Sequence, residues 1–425
     1  MIKDLLTDKV GHAEVAGLHM VARDLGKFRR EISYRVLTYL GDLKARIDNL
    51  EARSGSIHQK GARNKLKLYL QNSNSHLSAM VRLLDPLIVG SRANVAEYDR
   101  FLQESGHQKA KVEDYLELIF RDWSWGVNEV QAGLDLIAKV ASDIKNPERV
   151  LVLGAGACRL PYELHHRWQA GQTICVDYNP ALLLLASQLI QGTKLSLTDF
   201  PYAPSDVQSV TVVRELAALN PIRSGMQFLV HDVRDWGFAD GLFDLVLTPW
   251  FLDVSPISPP DQIALINKVL KPGGRWIQYG PLEFVGRDFF ESLTIEELVP
   301  LVRKEGFELE NQVSGRVPQM QNPHSSIGKD YSVSAFCARK TTEVNRPIEF
   351  ETENLPEWLM DLTKPVELGP QGEKLKKSLA FTHSIAEMVT ESKSVTCIAE
   401  ELASRHGLGR EAAEELVVRT LKKWL

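Results

Sequence analysis

Four features close to the ends of apolar runs, a glycine pair, an arginine and two acids, form a pattern suited to one kind of ligand. VLVL runs directly into Gly154-Ala155-Gly156, and LPYELHHRW then opens a helix. Glycine suits such a turn because it tolerates positive φ and lets a ligand approach the backbone. A nicotinamide-dinucleotide fingerprint would place Gly or Ala at its sixth position, beneath a pyrophosphate. That position is Arg159, and no G-K-[ST] of a triphosphate loop follows. An arginine suits a ligand carboxylate through paired N–H donors, or simply starts a surface helix. Asp177 ends the run ICVDYNP, where a carboxylate accepts hydrogen bonds from both hydroxyls of a ribose. Asp232 ends FLVHDVRDW, where an acid meets the amino edge of an adenine; a helix cap or a turn is the alternative for either acid. An amino-acid carboxylate, a sugar and a base without phosphate describe S-adenosylmethionine, the expected cofactor.

These residues need a parallel sheet behind them. From 150 to 340, RVLVLGAG, TICVD, MQFLVHD, FDLVLT and RWIQYG alternate with helical stretches, which implies an α/β fold with helices on both faces. GFELENQVS and DYSVSAFCARK read as two closing antiparallel strands. Residues 1–149 read as helical, with Phe28, Ile32, Val36, Leu37, Leu40, Leu43 and Ile47 on one face, and a second helix stopping at Asp85-Pro86. Lys60, Arg63, Lys65 and Lys67 read as a solvated face, with an anionic partner as the alternative. TTEVNRPIEFETENLPE at 341–357 reads as a linker. Residues 358–425 read as a small helical domain of three amphipathic stretches, with Gly407 as a helix stop.

The whole-chain properties set the class. There are 425 residues, enough for two or three folded units, with 44% hydrophobic and 25% charged residues, as in globular proteins. A net charge of −5 argues against nucleic acid or an anionic membrane as the main partner. ALLLLASQLI is about half the ~20 residues of a membrane span, and MIKDLLTDKVGHAEV has no signal-peptide core. The four scattered cysteines, with no C-x-x-C, suggest a reducing cytoplasm and no metal site. His165 and His166 adjoin on a helix and cannot both face one metal.

This layout resembles the class I S-adenosylmethionine-dependent methyltransferases, and LKPGGRWIQYGP at 270–281 is a frequent mark of that superfamily. More narrowly, the chain resembles the carnosine N-methyltransferase family on FRDWSWGVNE (120–129), VLGAGACRLPYE (152–163), WFLDVS (250–255) and YGPLEF (279–284). The resemblance implies a Rossmann-like fold with a mainly parallel seven-stranded sheet and a helical N-terminal region, over about residues 20–340. It implies Gly154 and Gly156 at the methionine part, Asp177 at the ribose, Asp232 with Val233 around the adenine, and the Pro249 backbone along the cofactor. Arg121, Asp122 and Trp123 would close a lid. Asp253 matches an acid that contacts the substrate imidazole, Tyr331 a tyrosine near it, and Trp250 an aromatic wall.

Two positions depart from the family: Val285 stands where a substrate-binding histidine is usual, and Cys158 replaces a third loop glycine. His231 and His324 are the candidate replacements for that histidine, each with a structural reading beside it. The tail is weakly similar to winged-helix modules of the pyrroloquinoline-quinone biosynthesis protein D type, which hold a precursor peptide; a structural or dimerising tail is the alternative. The expected function is N-methylation of a histidine imidazole, free, in a dipeptide or within a peptide. Competing readings are a methyltransferase for another small amine or heterocycle, and a non-catalytic cofactor-binding regulator.

Overall fold

The computed structural model describes residues 2–57, 59–88, 116–284, 292–344, 346, 348, 385, 388 and 394–421. Val285, most of the 341–357 linker and most of the first C-terminal amphipathic stretch lie outside the described residues. The chain divides into two compact units, Met1–Phe350 and Glu351–Leu425.

The first unit opens with a hairpin, β1 (Gly11–Val15) and β2 (Leu18–Ala22), rather than with helix. Ala16 and Gly17 both take positive φ, 52° and 79°, the two-residue turn whose twist matches paired strands. The all-helical reading of 1–149 therefore gives way over residues 11–22. Two long helices follow: α1 (Leu25–Arg53), capped by Asp24 accepting from Lys27 N at 2.8 Å, and α2 (Lys60–Leu84), which stops two residues before Pro86. On α1, Phe28, Ile32, Val36, Leu40 and Ile47 are buried, whereas Leu37 and Leu43 are half-buried. Lys60, Arg63, Lys65 and Lys67 are exposed.

Leu118–Phe120 and a π-helical turn, Arg121–Trp125, lead into α3 (Val127–Val140). The alternating region then gives β3 (Arg149–Leu153), α4 (Arg159–Trp168), β4 (Gln172–Asp177), α5 (Pro180–Ile190), a separate hairpin of β5 (Leu195–Asp199) and β6 (Val212–Leu216), and β7 (Met226–His231). Next come β8 (Phe243–Pro249), α6 (Pro259–Val269), β9 (Leu270–Gly280), α7 (Ile295–Lys304), β10 (Phe307–Gln319) and β11 (Lys329–Lys340).

The sheet order is β1-β2-β7-β4-β3-β8-β9-β11-β10. Pairing is parallel from β2 through β9 and antiparallel at β1–β2, β9–β11 and β11–β10. Seven strands form the expected core, and the N-terminal hairpin extends it to nine. Successive residues divide between the faces: Val150, Val152, Phe228 and Val230 join one apolar cluster, and Leu151, Leu153, Leu229 and Val246 the other. That two-sided burial accounts for the unbroken apolar strands. Chain order reverses between β3 and β8, so a crevice opens at the carboxyl ends of these strands.

In the second unit, α8 (Val395–His406) and α9 (Arg410–Leu421) share a small core of Ile385, Met388, Ile398, Ala399, Leu402, Ala413 and Val417. Gly407 ends α8 in the left-handed conformation, φ 66°. Among the described residues, no helix is long and apolar enough to cross a membrane.

Candidate cofactor and active site

The loop after β3 is left-handed at alternate positions: Gly154 (φ 73°), Gly156 (φ 55°) and Cys158 (φ 62°). A Cβ on Gly154 would lie 2.8 Å from the Phe251 ring, so space as well as φ demands glycine there. The turn aims backbone N–H groups at Asp177, the last residue of β4. Gly156 N donates to Asp177 Oδ2, and Asn179 N to Oδ1, each at 2.8 Å. Burial pushes the Asp177 carboxyl above the usual range, and these N–H groups partly offset it.

At the end of β7, Asp232 caps a short turn, accepting from Arg234 N at 2.9 Å and from its guanidinium at 2.8 Å. Burial raises the Asp232 pKa, but the Arg234 contacts outweigh it and hold the carboxyl below its ordinary value. His231 Nδ1 lies 2.9 Å from the Val21 carbonyl, which can only accept, so Nδ1 carries the proton. Its buried Nε2 has no partner among the described residues.

Across the crevice stands the π-helical turn. The Arg121 guanidinium pairs with buried Asp122 (Nη2–Oδ1 2.6 Å) and donates to Gln319 Oε1 at 3.2 Å. The Trp123 indole donates to the Ala157 carbonyl of the glycine loop at 2.8 Å. Gly126 ends the turn where a Cβ would meet the Arg121 carbonyl at 2.5 Å. Buried Glu129 accepts from Met320 N and Gln321 N at 3.1 and 2.8 Å. After β8, Trp250 holds a positive φ of 52° and packs edge-on between Tyr279 and Tyr331, with ring centroids 6.4 and 5.3 Å away.

A cavity of about 470 Å³ is lined by Gly154, Gly156, Asp177, Asp232, Val233, Pro249, Trp250 and Arg121. Arg159, Asp253 and Tyr331 do not line it. The Arg159 guanidinium pairs with Glu163 one turn on (2.7 Å) and donates to the Asp122 carbonyl at 3.2 Å. Buried Asp253 accepts from Glu283 N at 3.1 Å through Oδ2, while Oδ1 is buried with no partner among the described residues; its neighbours Phe251 and Val254 do line the cavity. Tyr331 stands behind Trp250. His324 bonds Ser209 Oγ at 3.0 Å and is not a lining residue.

Sequence reasoning missed Tyr178, Asn179, Glu129 and Tyr279 as lining residues. The first two directly follow Asp177, and Glu129 and Tyr279 sit inside FRDWSWGVNE and YGPLEF, which is the signal that was present. Among the described residues, no three His, Cys, Asp or Glu side chains group as a metal site.

The donor set fits a phosphate-free nucleoside. Two carboxylates, Asp177 and Asp232, line the cavity, and the Arg234 guanidinium is paired with Asp232; a diphosphate beside them would meet repulsion. S-adenosylmethionine, a nucleoside with no phosphate, fits a cavity lined by these two acids and the glycine loop.

Counting from β3 as the first strand, the seven-stranded core runs third, second, first, fourth, fifth, seventh, sixth. With the glycine loop and its strand-end acids, this is the fold of the class I S-adenosylmethionine-dependent methyltransferases. The carnosine N-methyltransferase family profile matches residues 99–342. The chain belongs to that family. It is 25% identical over 265 residues to a carnosine N-methyltransferase of Drosophila melanogaster, covering 54% of this chain and 55% of the relative. A carnosine N-methyltransferase of Dictyostelium discoideum is 23% identical over 222 residues, covering 48% and 47%. The chain thus spans about half the length of the curated relatives it matches. A SAM-dependent methyltransferase from Methanosarcina mazei aligns at TM-score 0.33 and 17% identity, over 47% of this chain and 94% of its own. Family and fold imply S-adenosyl-L-methionine as the cofactor.

Proposed function

We propose that the chain is an S-adenosylmethionine-dependent N-methyltransferase acting on a histidine imidazole in a small dipeptide such as carnosine, or in a peptide. Family membership supports the reaction class. The observation that carries the acceptor is the Oδ1 of Asp253, buried beside the cavity-lining loop and without a partner among the described residues.

When bound, S-adenosylmethionine supplies an electrophilic methyl group on a sulfonium. Arg121, Asp122 and Trp123 cover the crevice and exclude water, which leaves positioning as the main source of rate. A neutral imidazole already carries a nucleophilic nitrogen near neutral pH. Asp253 accepts the N–H of the other ring nitrogen, selecting the tautomer, and its charge offsets the positive charge the ring gains. Trp250 and Tyr331 shape the wall against which the ring lies. Burial pushes the Asp253 carboxyl up and the Glu283 N–H offsets part of this, so acid removes the acceptor role earlier than for a solvated aspartate.

The test is methyl transfer from labelled S-adenosylmethionine to histidine, carnosine, related dipeptides and histidine-containing peptides, with Asp253→Asn beside wild type. A fall in turnover of at least about 100-fold supports the assignment; undiminished turnover sinks it. Methylation confined to other amines replaces imidazole as the acceptor.

A further inference from the structure

Part of the cofactor end of the cavity is held from outside the family match. That match covers residues 99–342, yet Tyr178, which follows Asp177 and lines the cavity, is gripped by α1. The Arg35 guanidinium lies 4.2 Å from the Tyr178 ring centroid. Its Nη1 donates to the Tyr178 carbonyl at 3.2 Å, and the Tyr178 hydroxyl donates to Glu31 Oε1 at 2.9 Å. Glu31 and Arg35 are four residues apart, so one face of α1 takes both the ring and the backbone of this residue. Arg35 is buried, where a charge is poorly screened. β2 plays a parallel part, because Val21 accepts the His231 proton on the next strand.

We propose that Arg35 is a positioning residue for the ribose end of the cofactor site, fixing the Tyr178 ring and carbonyl and thereby the backbone from which Asp177 and Asn179 project. It touches no reacting atom. The inference rests on reading the cavity as an S-adenosylmethionine site. The family match begins well after this residue, so the N-terminal helix becomes part of the site rather than an appendage.

The experiment is calorimetric titration of S-adenosylhomocysteine into the full chain, with ligand-free melting curves. Arg35→Met, which keeps much of the apolar stem, is expected to weaken binding by about tenfold. Arg35→Lys, a cation without the planar fork, recovers part of that loss; a merely structural filler would show no such ranking. Affinity of Arg35→Met within twofold of wild type overturns the proposal. If that variant does not fold, Glu31→Gln and Tyr178→Phe carry the test, each expected to weaken binding by about threefold; unchanged affinity in both overturns it. A wild-type chain that takes up no S-adenosylhomocysteine overturns the cofactor reading itself, and this proposal with it.

Discussion

The Trp123 indole N–H donates to the Ala157 carbonyl at 2.8 Å, joining the π-helical turn to the glycine loop. Both partners are buried. The Arg159 guanidinium lies 5.2 Å from the same indole ring, so the arginine at the start of α4 braces the π-helical turn.

Trp123→Phe keeps a smaller aromatic ring and deletes this bond, removing the indole donor from the Ala157 carbonyl. The expected cost is about 1–3 kcal/mol of stability, with weaker cofactor binding. Denaturant unfolding beside S-adenosylhomocysteine titration checks both; a variant matching wild type in each would separate the turn from the loop.

Gly126→Ala tests the turn through space alone, since Gly126 has negative φ. Its Cβ would need the Arg121 carbonyl and side chain to move. The expected loss is about 2 kcal/mol or more, and melting curves of the two chains decide it.

Asp177 couples binding to acidity. Its carboxyl is raised from the ordinary value of 3.8, chiefly by burial. The ligand-free fold therefore holds a proton that the unfolded chain has released, and stability falls as pH rises from that ordinary value through the raised one. Ribose hydroxyls favour the ionised acid, so S-adenosylhomocysteine binding should weaken as pH drops through the raised value. Calorimetry at a series of pH values upward from 3.8 is expected to show proton release that Asp177→Asn lacks.

His76 sets an acid limit on the helical hairpin. It is buried on α2, 3.5 Å from the Tyr39 hydroxyl and edge-on to Phe200, and burial lowers its pKa from 6.5 to about 4. With the folded pKa below the unfolded one, the unfolded chain takes the proton first. Stability is then lost as pH falls from 6.5 towards 4, by about 3 kcal/mol in all. Melting temperature measured from pH 7 to 4.5 should fall less steeply for His76→Gln than for wild type.

The sheet was legible in the sequence because strands buried on both faces print as continuous apolar runs, as VLVL before Gly154 does. Asp177 and Asp232 were legible because strand ends face the crevice wherever the order reverses. The hairpin over residues 11–22 was not, since His12, Glu14 and His19 break its apolar pattern and its parallel partner is β7, some two hundred residues on. Its one local signal was the Ala16-Gly17 turn. Glu163, four residues after Arg159, was a local signal too, for the intrahelical pair the two side chains make. The grip of Arg35 on Tyr178 depends on a contact across 143 residues, which no local spacing encodes.

Pairing β2 alongside β7 also decides what the sheet presents to its surroundings. Met226–His231 would otherwise be an apolar rim with open amide and carbonyl groups, a template for adding foreign strands. With the hairpin in place, the outermost strands are short β1 and charge-bearing β10. Removing the first two dozen residues would therefore leave a chain prone to clump, whatever its chemistry.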